Sequence, residues 1–123
     1  MIVYCSNDLI FATKIGSTAE AIGVAARPAR DEQKLVARLR QVDDGRLNQP
    51  VTGVVIDLAQ GDQAIALLRQ VKEHDTNIPV IAFGSHVEVA LLESARSNGA
   101  DFVMPRSQFT AQLPALLERL GGS

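Results

Sequence analysis

The sequence predicts an α/β fold in which five helices cover both faces of a doubly wound, five-stranded parallel sheet. Short apolar runs alternate five times with segments of helical periodicity within 123 residues. This alternation is typical of parallel strands joined by right-handed helical crossovers. The central run, VVID at 54–57, is the uninterrupted type that a strand buried on both faces requires. We therefore expect one domain, residues 1–123, organised around that strand.

Composition and charge exclude several classes of function. A net charge of -2, with 46% hydrophobic and 21% charged residues, is typical of globular proteins and gives no general attraction to nucleic acid or anionic membranes. No apolar run is long enough to span a membrane, and the single cysteine, Cys5, cannot form an internal disulfide. We expect a cytoplasmic protein. Acidic residues interrupt the main basic cluster, which we interpret as a solvated helix face: Arg27, Arg30, Lys34, Arg38, Arg40 and Arg46.

The first strand and helix are indicated by residues 2–23. Residues 2–5 form a β-rich run, and the polar residues at 6–8 favour the start of a helix over 9–22 that Gly23 ends. Gly16 lowers helix propensity, which suggests close packing against the sheet. The predicted apolar stripe of this helix comprises Leu9, Ala12, Ile15 and Ala19.

The second strand, 24–29, contains Pro28, which cannot donate to a strand ladder and therefore belongs at a sheet edge. A helix then begins at Asp31 or Glu32, and the residues at 43–45 are expected to close it. Its predicted apolar face comprises Leu35, Val36, Leu39 and Val42.

The third strand carries Asp57 to its carboxyl end, where open α/β sheets place their functional sites. Asp62 is expected to cap the next helix, 62–74, whereas Asp57 comes too early for that role. The inward positions of this helix are Ala64, Leu67, Leu68 and Val71.

Two further strand and helix pairs complete the chain. They are a strand at 80–83, a helix at about 87–97, a strand at 101–104 and a helix at 110–120. An edge-type second strand beside a buried third strand favours the order 2-1-3-4-5 of flavodoxin-like folds. The predicted core positions of the two helices are Val89, Leu92 and Ala95, then Leu113, Leu116, Leu117 and Leu120.

These elements resemble the receiver domains of bacterial response regulators over essentially the whole chain. The VVID strand matches the one that carries the family's phospho-accepting aspartate, and the resemblance therefore assigns that role to Asp57. The segments IPVIAF at 78–83 and ARSNGADFVMP at 95–105 match the fourth strand, the end of the fourth helix and the fifth strand with its proline. The resemblance implies a CheY-like fold and a role in two-component signalling.

The residues that perform the family's chemistry are replaced. Ser6 and Asn7 stand at the positions of the family's acidic pair. The position of its hydroxyl residue falls on Gly84, with Ser85 next to it, and Met104 replaces its lysine before Pro105. One carboxylate holds Mg²⁺ poorly, and phosphoryl transfer needs cations around the transferred group. We therefore expect no catalytic residue and no cofactor, with weak Mg²⁺ binding only if Asp57 and Asp8 combine. Arg106 is the one candidate replacement for the lost positive charge.

The preferred hypothesis is a pseudo-receiver, a non-enzymatic module that contacts a sensor kinase or an output protein. The resemblance implies that partners or a second copy bind the fifth strand and last two helices, including residues 104–109. The alternative is an atypical receiver phosphorylated on Asp57 in a phosphorelay. A third hypothesis is a phosphocarrier or phosphatase with Cys5 as the nucleophile. The phosphatase pattern requires an arginine six residues after the cysteine, and this sequence has Phe11 there. We interpret Cys5 as a buried structural thiol.

The remaining polar and aromatic residues give weaker signals. His74 and His86 lie on different elements without a second ligand nearby, which predicts no metal site. The Gly84-Ser85-His86 loop is either a small binding surface or a helix cap. Phe109 is expected to be a partly exposed contact residue, whereas three other aromatic residues are predicted core: Phe11, Phe83 and Phe102.

Overall fold

The computed structural model describes residues 1–43, 46–47 and 49–121. In this part of the chain, five parallel strands form one sheet in the order β2-β1-β3-β4-β5, as the sequence predicts. The strands are β1 Ile2–Cys5, β2 Ala26–Pro28, β3 Gly53–Asp57, β4 Val80–Gly84 and β5 Phe102–Pro105. The helices are α1 Leu9–Ala21, α2 Glu32–Leu39, α3 Asp62–His74, α4 Val89–Ser97 and α5 Arg106–Leu120.

The sheet separates two apolar layers. Helices α1 and α5 pack with Val55 and Phe83 on one face, and α2, α3 and α4 pack with Val54 and Ile56 on the other. Every residue of β3 is buried because β1 and β4 flank it and helices cover both faces. Asp57 lies beside Phe83 in the parallel register. No helix among the described residues is both long and apolar enough to cross a membrane.

Helix α1 begins where predicted, but its first turn is exposed. The Asp8 side chain caps the helix by accepting from the amides of Ile10 and Phe11 at 2.9 and 3.3 Å. Leu9 is 66% exposed, so its assignment to the buried stripe is wrong, whereas Ile15 and Ala19 are buried. The first turn begins three residues past the carboxyl end of β1, at the rim of the sheet.

The close packing predicted at Gly16 is present. A Cβ added at Gly16 would lie 2.9 Å from the hydroxyl oxygen of Tyr4 in β1. At the other end of α1, Gly23 adopts a φ of 74°. The amides of Gly23 and Val24 then close the helix by donating to carbonyls of its last turn.

Helix α2 ends earlier than predicted and buries one of the basic residues. Val42 lies in a short antiparallel pairing of Val42–Asp43 with Arg46–Leu47 and is exposed, so it does not belong to the helix's apolar face. The chain leaves the helix at Gln41, whose φ is 64°. Residues 44 and 45 of the predicted stop lie outside the described residues.

Arg38 contradicts the interpretation of the basic cluster as wholly solvated. It is 4% exposed, and its Nε and Nη2 donate to the Pro28 carbonyl at 3.2 and 3.0 Å. Because Pro28 lies on the edge strand, Arg38 ties α2 to that edge. Arg27, Arg30 and Arg40 are exposed, as expected.

Four further predictions about side chains are wrong. Asp62 is the first residue of α3 and makes no side-chain cap, because Gly61, with a φ of 65°, holds the cap position. Val89 begins α4 at the sheet rim and is exposed. Helix α5 starts at Arg106 instead of 110, which places Phe109 in the core. Phe102, predicted to be core, is 39% exposed.

Candidate functional site

The predicted site residues meet at the carboxyl edge of the sheet. Asp57 ends β3, Ser6 follows β1, Ser85 follows β4, and Arg106 follows β5. Parallel strands end at the same edge, so the topology brings these four side chains to one region. Asp57 is 1% exposed, which is unusual for a carboxylate unless it is well hydrogen-bonded.

Both carboxylate oxygens of Asp57 accept hydrogen bonds from the protein. The Ser6 hydroxyl donates to Oδ2 at 2.8 Å, and the Ala59 amide donates to Oδ1 at 2.9 Å. The second bond makes Asp57 the cap of a short 3-10 turn, Leu58–Gln60. Asp57 is therefore a helix cap after all, although of this turn and not of α3.

Asp8 serves a different helix. It is exposed, and its Oδ1 accepts from two amides of the first turn of α1. The Asp8 amide donates to Oγ of Ser6 at 3.2 Å, so Ser6 connects the start of α1 to Asp57. Asn7, at the other acidic position of the family, is exposed. Within the described ranges, no group of three or more His, Cys, Asp or Glu residues is arranged to hold a metal ion.

Arg106 does not pair with Asp57. Its guanidinium carbon lies over the ring of Phe11, 5.2 Å from the centroid. Its Nε is buried without a hydrogen-bond acceptor. A second orphaned atom at this edge is Oε1 of Gln60.

Gln60 is a polar residue of this edge that sequence reasoning missed. Its Nε2 donates to the carbonyl oxygens of Cys5 and Asp57 at 2.9 and 3.0 Å, joining the ends of β1 and β3. The side chain thus crosses the mouth of the site next to Asp57. The only sequence signal is a glutamine three residues after the strand's aspartate, which is too common to predict this contact.

The positions of the family's hydroxyl and lysine are filled by packed residues. Gly84 is buried, and an added Cβ would lie 3.1 Å from Cβ of Leu58. The Ser85 hydroxyl accepts from the Val87 amide at 3.4 Å in the turn before α4. Met104 is buried with the α1 and α5 layer, and Pro105 precedes α5 without a side-chain cap. Neither Met104 nor Pro105 can supply positive charge.

Two aromatic contacts fix the wall of the site on the side of α5. Phe83 stacks on Phe109 with ring centroids 4.0 Å apart and rings 5° from parallel, and Phe11 lies 5.3 Å from Phe83. Phe109 is fully buried, so it cannot be the exposed contact residue predicted from the sequence.

Cys5 ends β1 and is a buried free thiol. It is 1% exposed, and burial raises the pKa of its thiol to about 12. A nucleophilic cysteine needs an accessible thiolate. The geometry therefore argues against the phosphocarrier or phosphatase reading and agrees with a structural thiol.

Solved structures with the same fold include receiver domains of response regulators. The receiver domain of NtrX from Brucella abortus matches with a TM-score of 0.77 at 20% identity, covering 100% of this chain and 99% of that chain. A response regulator from Thermotoga maritima matches with a TM-score of 0.73 at 18% identity, covering 99% and 97%.

A third match is a Burkholderia pseudomallei response regulator protein solved with a phosphorylated aspartic acid, calcium ion and citrate. Its TM-score is 0.67 at 15% identity, covering 98% of this chain and 70% of that chain. Against a longer NtrX chain, the match covers 98% of this chain and 27% of that one. No family model and no curated protein matches the sequence. At these identities the likeness shows the receiver fold.

Proposed function

We propose that this chain is a cytoplasmic pseudo-receiver of the response-regulator family, which acts through protein contacts and not as an enzyme. The observation that carries the proposal is the state of Asp57. Its two oxygens accept from Ser6 and Ala59 inside the protein, and the side chain is 1% exposed. The carboxylate stabilises the junction of β3 with the following turn and is not presented to a phosphodonor.

The charges around Asp57 support the same conclusion. An aspartyl phosphate adds negative charge where Ser6 offers one neutral donor and Met104 offers none. In a buried site, an uncompensated charge costs several kcal/mol, on the order of the stabilisation that a metal ion supplies. Arg106, the candidate replacement for the lysine, contacts Phe11 instead. Phosphorylation of Asp57 would therefore need the edge of the sheet to rearrange.

The proposed contact face is β5 with α4 and α5. Phe102 is the exposed aromatic residue of this face, and the Arg119 guanidinium lies 5.3 Å from its ring centroid. Aromatic residues and arginines are the side chains that most often dominate protein interfaces. We propose that Phe102 and Arg119, and not Phe109, anchor a sensor kinase, an output protein or a second copy of this chain.

The decisive experiment is exposure of the full chain to Mg²⁺ with a small acyl phosphate, followed by intact mass spectrometry. We expect no added phosphoryl group, and no NMR shifts with beryllofluoride. Asp57→Asn provides the matched control, because it removes the acceptor oxygen while keeping the shape of the side chain. A hydroxylamine-labile adduct that Asp57→Asn abolishes would contradict the proposal.

The second candidate is an atypical receiver phosphorylated on Asp57 within a phosphorelay. Two observations favour it: Asp57 lies at the carboxyl end of β3, and one protein of the same fold carries a phosphorylated aspartic acid with calcium. A histidine kinase that opens the Ser6 contact while docking would be required. Phosphotransfer from a partner kinase, in the absence of transfer from the acyl phosphate, would favour this candidate.

A further inference from the structure

Helix α4 begins later than its sequence favours. Ser85 and Glu88 are three residues apart and precede an apolar stretch, which is the pattern of a capping box. In a capping box, the serine hydroxyl accepts from the amide of the glutamate, and the glutamate side chain accepts from the amide of the serine. The pattern predicts a helix whose first residue is His86, whereas α4 starts at Val89.

The capping box is not formed in the structure. The Ser85 hydroxyl accepts from the Val87 amide at 3.4 Å, and Glu88 holds the cap position of α4 without a side-chain cap. The Glu88 amide donates to the Ser85 carbonyl at 3.0 Å, so residues 85–88 already form one turn. The backbone at Glu88 separates that turn from α4, because its ψ is 59°, whereas a helix has a ψ of about -42°.

The start of α4 has few buried contacts with the rest of the domain. Residues 86–90 are all exposed, and Val87 is 70% exposed. Within α4, Ala95 is buried and Leu91 is half-buried. A cavity of about 350 Å³ adjoins the first turns of the helix, with Leu58 and Leu91 in its wall. Segments with few buried contacts open and close more readily than the core.

Extension of α4 to His86 would turn Val87 toward this cavity. Val87 is four residues before Leu91 and eight before Ala95, so the three side chains lie on one face of a continuous helix. That face is the inner one, since Leu91 lines the cavity and Ala95 is buried. Burial of the valine and completion of the cap both favour the extended helix.

We propose that α4 has a second, extended state in which the helix begins at His86. Ser85 and Glu88 complete the capping box, Val87 packs into the cavity, and the backbone of Glu88 is the hinge. The change involves neither Mg²⁺ nor a modified aspartate, so the inference does not rest on the pseudo-receiver function. Because α4 belongs to the proposed contact face, a partner that binds α4 in one state shifts the population toward that state.

Relaxation-dispersion NMR of the full chain tests for the two states, because helix shifts of this kind occur in microseconds to milliseconds. We expect exchange at the amides of residues 86–92 and a minor state with helical Cα shifts at residues 86–88. His86→Ala should raise the population of that state by about twofold, since alanine has the higher helix propensity.

Matched variants separate the cap from the packing. Ser85→Ala should lower the population of the extended state by about fivefold. Val87→Thr places a hydroxyl in the cavity and should lower it by about tenfold. Val89→Thr is the control for Val87→Thr and should not change the population, because Val89 faces outward in both states.

Three results would overturn the proposal. The first is the absence of a helical minor state at residues 86–88 in both the wild type and His86→Ala. The second is helical Cα shifts there in the major state, which would make the extended helix the only form. The third is a minor state that Ser85→Ala leaves unchanged. Equal effects of Val87→Thr and Val89→Thr would overturn the packing of Val87 into the cavity.

Discussion

The Ser6 hydroxyl donates a 2.8 Å hydrogen bond to Oδ2 of Asp57, two side chains that are both buried at the end of adjacent strands. The bond gives the Asp57 carboxylate one neutral donor from the end of β1. It also fixes the start of α1, since the same Oγ accepts from the Asp8 amide. The hydrogen bond therefore stabilises the fold, and its removal should lower the free energy of unfolding.

We predict that Ser6→Ala destabilises the protein by about 1–3 kcal/mol, because it leaves a buried carboxylate oxygen and the Asp8 amide without a partner. Urea unfolding followed by circular dichroism measures the change. Ser107→Ala is the control: Ser107 is exposed, and its removal should change stability by less than about 0.5 kcal/mol. Equal effects of the two substitutions would contradict a stabilising Ser6–Asp57 bond.

Restoring an acid at position 6 should make the protein respond to Mg²⁺. Ser6→Asp places a second carboxylate against buried Asp57, so like-charge repulsion lowers the free energy of unfolding at neutral pH. Mg²⁺ bridges the pair and restores about 1.4 kcal/mol when its concentration is about ten times Kd. Thermal unfolding with Mg²⁺ and with EDTA measures the difference. The wild type and Ser107→Asp should show no such response, and an equal response in either would show that the added acid does not create the site.

The sequence predicted the strands and the topology well because both depend on patterns that burial imposes. A strand covered on both faces needs an unbroken apolar run, and β3 and β4 have one. Helical spacing also predicts which residues share a face, but not where a helix extends past the sheet. Leu9 and Val89 fit their stripes and are nevertheless exposed, since both lie in first turns at the rim.

The error at Phe109 has a different cause. The sequence predicts that the fifth strand ends at Pro105 and that a polar loop precedes a helix at 110–120, yet proline is compatible with the start of a helix. With α5 beginning at Arg106, Phe109 precedes Leu113 by one turn and extends the same buried stripe. Parallel topology alone predicts that Asp57, Ser6 and Arg106 lie at the same edge of the sheet. It does not predict their hydrogen-bond partners, because a hydrogen bond depends on side-chain rotamers that no local sequence pattern encodes.

The contact between Gly16 and Tyr4 predicts that the effect of Gly16→Ala on stability changes sign with the residue at position 4. Gly16→Ala gains about 1 kcal/mol of helix propensity, but its Cβ would lie 2.9 Å from the Tyr4 hydroxyl oxygen, which costs about 1–3 kcal/mol. We therefore expect net destabilisation in the wild type. In a Tyr4→Phe background the nearest remaining atom is the ring carbon Cζ at 3.7 Å, and Gly16→Ala should become stabilising.

Chemical denaturation of the four proteins in this cycle measures the coupling between Gly16 and Tyr4. Gly23→Ala is the matched control, because Gly23 has a φ of 74° and no atom within 4 Å of an added Cβ. It should destabilise both backgrounds equally, by about 1 kcal/mol. A Gly16→Ala effect of the same sign in both backgrounds would show that the hydroxyl contact does not limit packing.

Burial of Cys5 predicts a loss of stability in alkaline solution. Burial raises the pKa of its thiol from the ordinary 9.0 to about 12 in the folded state, so above pH 9 the unfolded chain loses the proton first. The contribution of the buried thiol to the free energy of unfolding is fully present below pH 9. It is lost as the pH rises toward 12, by up to about 1.4 kcal/mol per pH unit. Because Tyr4 titrates in the same range, with a pKa that burial also raises, the quantity to measure is the difference between the wild type and Cys5→Ala. The wild type should lose stability faster than Cys5→Ala between pH 9 and 11, and parallel curves would mean that the thiol ionises as readily in the folded protein as in the unfolded chain.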